Sequence, residues 1–591
     1  MRPRLLPDVR FVKYADGVYV HGDQGACTIT GEHSHEWLSR LAPYLTGEHT
    51  LGELTESLSD ERRELVERLV GVLAEQRFVT DARDEQPHTL SDEERDVYAP
   101  EIAYIRYAHD SAEHRFERLR RARIAVAATG TAGPVAAALI EAGLGSGWRR
   151  VQVTGVSGAD LSAAVEAGRR DAAQQVLVCA GVPDNADVVL HVHQGEDSAA
   201  LTQISEHHGQ AAHGQIWVRG DEAWLTPVSD VAAAPYWRRL AGWPLTQEEP
   251  GTCLLTGPVP MVLTAQAVLS CFEYLTGLAG DAADNAEDKA ADLVMTRVDL
   301  RTLDTSRHRP RPLRLTATAV TAAGDAPTAA DLLARAARYI GPRTGVLGEL
   351  DEGGLVQVPW RVCAVTISDP LGVLPSWASA PKVFGWGPDW RTARARALLA
   401  GLAGYQALLV AERPAVPYVA PTGVGAGLSW PQAVAAGLAQ HCERMLRDCD
   451  RAGFPVVPAL DDPRVVQLMD LLGAAGEHVV IRDLTTELGI PAYAAGAASP
   501  ACAVMPQTAM RRALERLLLR WQARTENQPQ YADPVPRWAD DICGADAETA
   551  VETFTKALAA AGRKPPRVTM LGRDAEVAAL LPFVARVTCD E

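Results

Sequence analysis

The sequence predicts a multidomain α/β protein, and three patterns predict it. Short strand-like runs and three amphipathic helical stretches share the first 88 residues. A buried-type apolar run then enters a glycine turn, a helix and a second strand. Beyond residue 290, Ala- and Leu-rich helical stretches alternate with strand–turn–strand segments. The 591 residues leave room for about three or four domains. With 47% hydrophobic and 22% charged residues, the chain has the composition of a folded protein, which excludes general disorder. The expected divisions are 1–88, 99–284 and 290–591. A charged, Pro-containing linker over 84–96 and the polar run 280–289 separate them.

Charge and composition narrow the functional classes. A net charge of −18 argues against a nucleic-acid partner, because phosphates need a cationic surface. No apolar run approaches the ~20 residues that span a bilayer. The opening Met1-Arg-Pro-Arg has no apolar core of a signal peptide, so a cytoplasmic protein without a membrane partner is expected. None of the ten cysteines sits in a Cys-x-x-Cys pair. A four-cysteine zinc site is therefore not expected, and a reducing cytoplasm argues against disulfides.

In the first region, Val9–Lys13 and Gly17–His21 flank an Asp16-Gly17 turn, and Ala26–Thr30 alternates as a third strand. Trp37, Leu38, Leu41 and Leu45 have helical spacing. Leu51–Leu58 makes a short helix, and Asp60 can cap a third with Leu65, Val66, Leu69, Val72 and Leu73 on one face. Phe78-Val79 returns as a strand, which completes a winged helix-turn-helix order. On a DNA-binding protein the third helix would be basic, but here Arg62, Arg63 and Arg68 alternate with Glu61, Glu64 and Glu67. The stretch resembles the RiPP recognition element, a PqqD-like domain. That resemblance implies a leader peptide added as a strand beside Cys27 and Ile29, packed on Leu65, Leu69 and Val72, its carboxylates meeting Arg62, Arg63 or Arg68. Each Leu or Val also fits plain core.

The second region opens on the apolar run Ile124–Ala127, a buried strand, then a glycine turn through Gly130 and Gly133 and the helix Pro134–Ala142. Gly130 and Gly133 are the nucleotide-binding candidates, because backbone approaches phosphate where side chains are absent. The second strand ends Thr154-Gly155 where an acid would hold ribose. His191 and His193 share a strand face, either as a metal pair or as ordinary strand residues. The segment resembles the ThiF/E1-like fold. The resemblance offers Cys179 and Cys253 as acyl-accepting thiols, although free cysteines also serve as small core residues. E1-like proteins usually carry the missing acid, an ATP-contacting Arg and paired zinc cysteines.

The third region resembles the YcaO superfamily, whose enzymes phosphorylate a backbone amide during azoline formation. The resemblance rests on Phe384–Gly387, the helix Ala393–Tyr405, the helix Ala433–Arg444, the segment Val479–Pro491 and the helix Ala509–Arg524. Family members hold ATP-Mg²⁺ on glutamates from such helices. By this alignment those positions hold Ala400, Ala403 and Gln440, then Leu519 or Arg520; the helix Arg becomes Gly404, and the turn lysine Trp386. Only Glu443 and Arg444 remain, and they also read as a helix-surface pair. The terminal Arg586–Glu591 lacks the Pro-rich tail of azoline-forming members.

Together the three resemblances match the ocin-ThiF-like F proteins of thiazole/oxazole-modified microcin and thiopeptide pathways. They imply a protein with no catalytic residue, cofactor or metal of its own. It would bind a precursor's leader peptide and present the core to a separate YcaO cyclodehydratase, with a homodimer left open. The alternative is an E1-like enzyme that adenylates a peptide.

Overall fold

The computed structural model describes residues 1–22, 25–31, 33–82, 85–196, 198–207, 210–244, 254–279, 293–319, 328–449, 453–456, 462–525, 527–528, 531, 546–581 and 583–589. The fold is mixed α/β and multidomain. Its contacts divide it into two compact units, Met1–Ala233 with Gln247–Arg307, and Ala234–Thr246 with His308–Glu591.

The first unit begins with β1 (Pro3–Leu5), β2 (Arg10–Tyr14), β3 (Gly17–Gly22) and β4 (Gly25–Thr30), then α1 (Ser34–Leu41), α2 (Leu51–Thr55), α3 (Asp60–Glu75) and β5 (Val79–Asp81). Strands β2, β3 and β4 form an antiparallel sheet with β4 at its edge. Gly17 is glycine because a Cβ there would fall on the Ile29 carbonyl. Val66, Leu69, Val70 and Leu73 turn α3 onto Val18, Val20, Leu38 and Phe78. The returning strand β5 does not join that sheet. It pairs antiparallel with β1, Pro3 opposite Asp81.

Helices α4 (Asp92–Val97), α5 (Ala99–Ala108) and α6 (Ala112–Arg121) lead to β6 (Arg123–Gly130). There follow α7 (Gly133–Gly145), β7 (Arg150–Thr154), α8 (Gly158–Gly168), β8 (Gln175–Val178), β9 (Val188–Gln194), α9 (Ala199–His207), β10 (Ala212–Arg219) and β11 (Glu222–Leu225). Farther along come α11 (Val259–Thr276), β12 (Met295–Asp299) and β13 (Thr305–His308). These strands form one eight-stranded sheet in the order β13-β12-β11-β10-β9-β6-β7-β8. It is parallel from β10 to β8, with β11 and β12 antiparallel. The central strands β6 and β9 are buried along most of their length, as strands covered on both faces require, whereas the edge strand β8 is largely exposed. Helix α11 is long and apolar enough by length and composition to cross a membrane, but 56% of it is buried in the fold, packed on α6 and α7.

The second unit takes α10 (Ala234–Ala241) from between β11 and α11. Its other elements are α12 (Ala329–Ala336), β14 (Arg361–Thr366), β15 (Lys382–Gly387), α13 (Trp390–Leu408), β16 (Val424–Ala426), α14 (Trp430–Cys449), β17 (Phe454–Val456), α15 (Pro463–Ala474), β18 (Ile481–Asp483), α16 (Thr485–Leu488), β19 (Ala492–Ala495), β20 (Ala501–Cys502), α17 (Pro506–Thr525), α18 (Ala547–Ala560), β21 (Arg567–Met570), α19 (Ala575–Leu580) and β22 (Val584–Thr588). They make three small sheets, β14-β15, β16-β22-β21 and β17-β18-β19-β20. Helix α13 lies so close to β14 and β15 that a Cβ on Gly385 would meet the Ala397 backbone. Its Ala and Gly content is the consequence. Arg239 of α10 is wholly buried and donates to Asp574 Oδ2 at 2.6 Å, to the carbonyls of Arg311 and Pro312, and to the Tyr405 hydroxyl. Tyr405 donates in turn to Asp574 at 2.8 Å. A buried pair with all its polar atoms engaged anchors α10; removing one partner of such a pair costs about 3–5 kcal/mol.

Candidate functional site

A cleft of about 330 Å³ opens between β4, α1 and α3. Among the described residues strand β4 pairs only with β3, so its outer edge offers backbone donors and acceptors. The cleft is lined by Thr28, Ile29 and Thr30 from that edge, Ser34 and Trp37 from α1, and Leu65, Arg68, Leu69 and Val72 from α3. Leu65 and Val72 are half-buried at its wall, while Leu69 belongs to the core. Of the residues expected from sequence, Ile29, Leu65, Leu69 and Val72 meet here, with Arg68. Cys27 and Arg62 are not among its lining residues. Cys27 turns inward opposite the buried Val20, and partial burial pushes its thiol up. Trp37, Thr28, Thr30 and Ser34 were not foreseen, because only the tertiary approach of α1 and β4 to α3 brings them together. A large aromatic on an otherwise short polar helix was the available signal.

At the glycine turn, Gly130 has φ +67°, and a Cβ there would fall on the Gln194 carbonyl. Its smallness is required by the close parallel pairing of β6 with β9, where Gly130 lies opposite Gln194. Gly133 begins α7 with open space where a Cβ would stand. Thr129 Oγ1 lies 2.8 Å from both His191 Nε2 and His193 Nδ1. Burial, with His193 and His213 nearby, brings the His191 pKa down to about 3, so this imidazole is neutral. Among the described residues no group of three or more His, Cys, Asp or Glu is placed to hold a metal ion. Cys179 is half-buried at the end of β8, and Cys253 lies outside the described residues.

In the second unit, the positions read as replaced glutamates are filled by packing. Ala400 and Ala403 are core residues, and a Cβ on Gly404 would come within 2.6 Å of Ile367 Cδ1. Gln440 spends its amide on the backbone, accepting from Gly423 N at 3.0 Å and donating to Val424 O at 2.7 Å. Trp386 packs edge-on against Trp360 at 5.2 Å. Glu443 and Arg444 are not a surface pair. Glu443 is buried and faces α17, where Arg516 Nη2 donates to both its oxygens at 2.8 Å and Arg512 Nη2 donates at 3.1 Å, while Arg444 points to solvent. Gln406 is buried with neither amide atom hydrogen-bonded among the described residues.

Residues 373–580, about a third of the chain, match the family described as "YcaO cyclodehydratase, ATP-ad Mg2+-binding". The structure is similar to a heterocyclase solved in complex with substrate and cofactor. That likeness has 16% identity and a TM-score of 0.57, and covers 99% of this chain and 94% of that one. It is also similar to the heterocyclase TruD, with 17% identity and a TM-score of 0.51, covering 100% and 94%. At such identities the likeness is one of fold. No curated protein matches the chain in sequence.

These findings correct the reading of a partner protein. The ocin-ThiF-like assignment placed the cyclodehydratase in a separate chain, but the cyclodehydratase match falls within this one. The same match and the two heterocyclase folds overturn the expectations of a protein that only presents a leader peptide, that has a separate YcaO partner, and that is not an enzyme. The E1-like adenylating alternative gains no support from them. The error has a physical root. The partner reading rests on a few aligned helix positions that hold packing residues, whereas the cyclodehydratase match covers the whole of 373–580 around them.

The magnesium in the family's description can be tested against the donors present. Mg²⁺ takes hard oxygen ligands in a near-octahedral shell. The aligned positions supply alkyl groups, a backbone-bonded amide and one carboxylate already neutralised by two guanidiniums. The described residues do not fit a protein-built magnesium cage.

Proposed function

We propose that the chain is an ATP-consuming cyclodehydratase that forms thiazolines or oxazolines on a ribosomally made precursor peptide in the cytoplasm. The observation that carries this reading is the cyclodehydratase match at residues 373–580, set in a chain whose whole length follows heterocyclase folds. In the reaction a Cys thiol, or a Ser or Thr hydroxyl, adds to the preceding backbone carbonyl. That addition closes the ring; the former amide oxygen then leaves, the nitrogen gives up its proton, and a C=N bond forms within the ring. ATP enters as a consumed co-substrate, the departing oxygen leaving with phosphate as ADP forms. The peptide loses one water per ring.

In this reading residues 1–88 form a winged helix-turn-helix that holds the leader as a strand added to β4. Backbone bonds on the free edge give affinity, and the apolar wall of Leu65, Leu69, Val72 and Trp37 gives specificity. Arg68 supplies a cation for an acidic leader residue. The parallel strands β6–β10 within 99–284 are read as a Rossmann-type layer with no chemistry assigned to it; β12 and β13 of the same sheet come from beyond residue 290.

The test is mass spectrometry on the precursor peptide incubated with the full chain and ATP. We expect loss of one water per ring with ADP released in step. Peptide that binds but never loses water would overturn the reading.

A further inference from the structure

We infer that the α14–α17 crossing holds no divalent cation on protein carboxylates, and that Arg512 and Arg516 are the fixed cations of that place. The inference rests on the cyclodehydratase reading of this region, whose described family binds Mg²⁺.

The geometry is closed from both sides. Glu443 spends both oxygens on Arg516, and one of them also on Arg512. The guanidiniums do not depend on Glu443 for their position, because Arg516 Nη1 donates to the Pro500 carbonyl and Arg512 Nη1 to the Cys502 carbonyl. The carbonyls of Cys502 in β20 and of Pro500 just before it thus help hold two cations against one anion. Glu443 and Arg516 are 1% and 2% exposed, so the surplus positive charge is not screened by water. A Mg²⁺ ion seeking the Glu443 carboxylate at its usual ~2.0–2.1 Å would arrive beside both guanidiniums. The next buried carboxylate on α17, Glu515, lies 3.8 Å from Arg511 Nε, so it too faces an arginine. Gln440 has no free oxygen to offer, and Ala400 and Ala403 have no side-chain donor. A divalent ion that reaches this region therefore arrives on the nucleotide's phosphates and leaves with them.

The test uses the full chain, with Mn²⁺ as probe and no nucleotide. Free Mn²⁺ is read by electron paramagnetic resonance, and the thermal midpoint is read with and without EDTA. We expect the free-ion signal to stay proportional to added Mn²⁺ with the chain in excess, and EDTA to leave the midpoint unchanged. We also expect Glu443→Gln to lower the midpoint equally in both buffers, since it strands two buried guanidiniums. Stoichiometric Mn²⁺ uptake that Glu443→Gln abolishes, or an EDTA-induced fall of the wild-type midpoint that Glu443→Gln abolishes, would overturn the inference. Uptake retained in Glu443→Gln places the ion away from this crossing and supports it. If the variant does not fold, the wild-type EDTA comparison decides. Absence of water loss from the peptide would overturn the cyclodehydratase reading and leave these metal readouts standing.

Discussion

His191 shows how much one side chain's setting matters. The sequence places it beside His193 on one strand face, a spacing that fits a metal pair but, with no third ligand nearby, reads first as a plain strand. The fold puts it at the centre of a parallel sheet, bonded to Thr129 and facing other imidazoles. Its pKa is about 3 folded against an ordinary 6.5. The depressed value makes the folded state refuse a proton that the unfolded state accepts. The stabilising contribution is complete above pH 6.5 and is lost as pH falls toward 3. At pH 5 the loss amounts to about 2 kcal/mol. We therefore predict that His191→Gln, although less stable at pH 8, loses less stability between pH 7 and about pH 5 than the wild type does. Parallel denaturant titrations at the two pH values measure this, and equal losses in both proteins would refute it. Glu443 teaches the same lesson from the other side. Local sequence gives it Arg444 as a neighbour, while its real partners lie 69 and 73 residues away.

The legibility of the elements follows their range. The stripe Leu65-Leu69-Val72 and the alternation of β4 could be read because both are local periodicities. The pairing of β1 with β5 could not, since it joins residues 78 apart in register. The glycines of the turn after β6 are an intermediate case. Glycine there is equally expected for a phosphate or for a crowded crossing, and only the position of the Gln194 carbonyl distinguishes them. The two glycines should then respond differently to a methyl group. Gly130→Ala meets that carbonyl at a positive φ and should cost about 3 kcal/mol. Gly133→Ala enters open space at the first turn of α7 and should be neutral or stabilising by up to about 1 kcal/mol. Thermal midpoints of the two variants, taken without nucleotide, make the comparison. Equal effects would mean that the β6–β9 pairing does not explain Gly130.

At the scale of the molecule, the proposed leader cleft lies in one compact unit and the cyclodehydratase match in the other. In the proposed reading the peptide itself would couple them. A leader held on β4 tethers the core segment, and a tether of this kind gives effective concentrations of order mM. Binding energy spent on the leader is the same in the ground and transition states of ring closure, so it acts on KM and leaves kcat alone. Leu65→Ala removes a half-buried apolar wall of the cleft without opening the core. Losing that contact should weaken leader binding about tenfold, or about 1.4 kcal/mol. We predict that KM for the full precursor rises by that factor, with kcat unchanged. A core peptide lacking its leader should be processed at the same slow rate by variant and wild type, because neither can tether it. Rates of water loss across a peptide concentration series separate the two parameters. A fall in kcat at unchanged KM would mean that the cleft acts on the ring-closing step, and a leaderless peptide slowed by Leu65→Ala would mean that the cleft receives the core. Either result would remove the division of labour proposed for the two units.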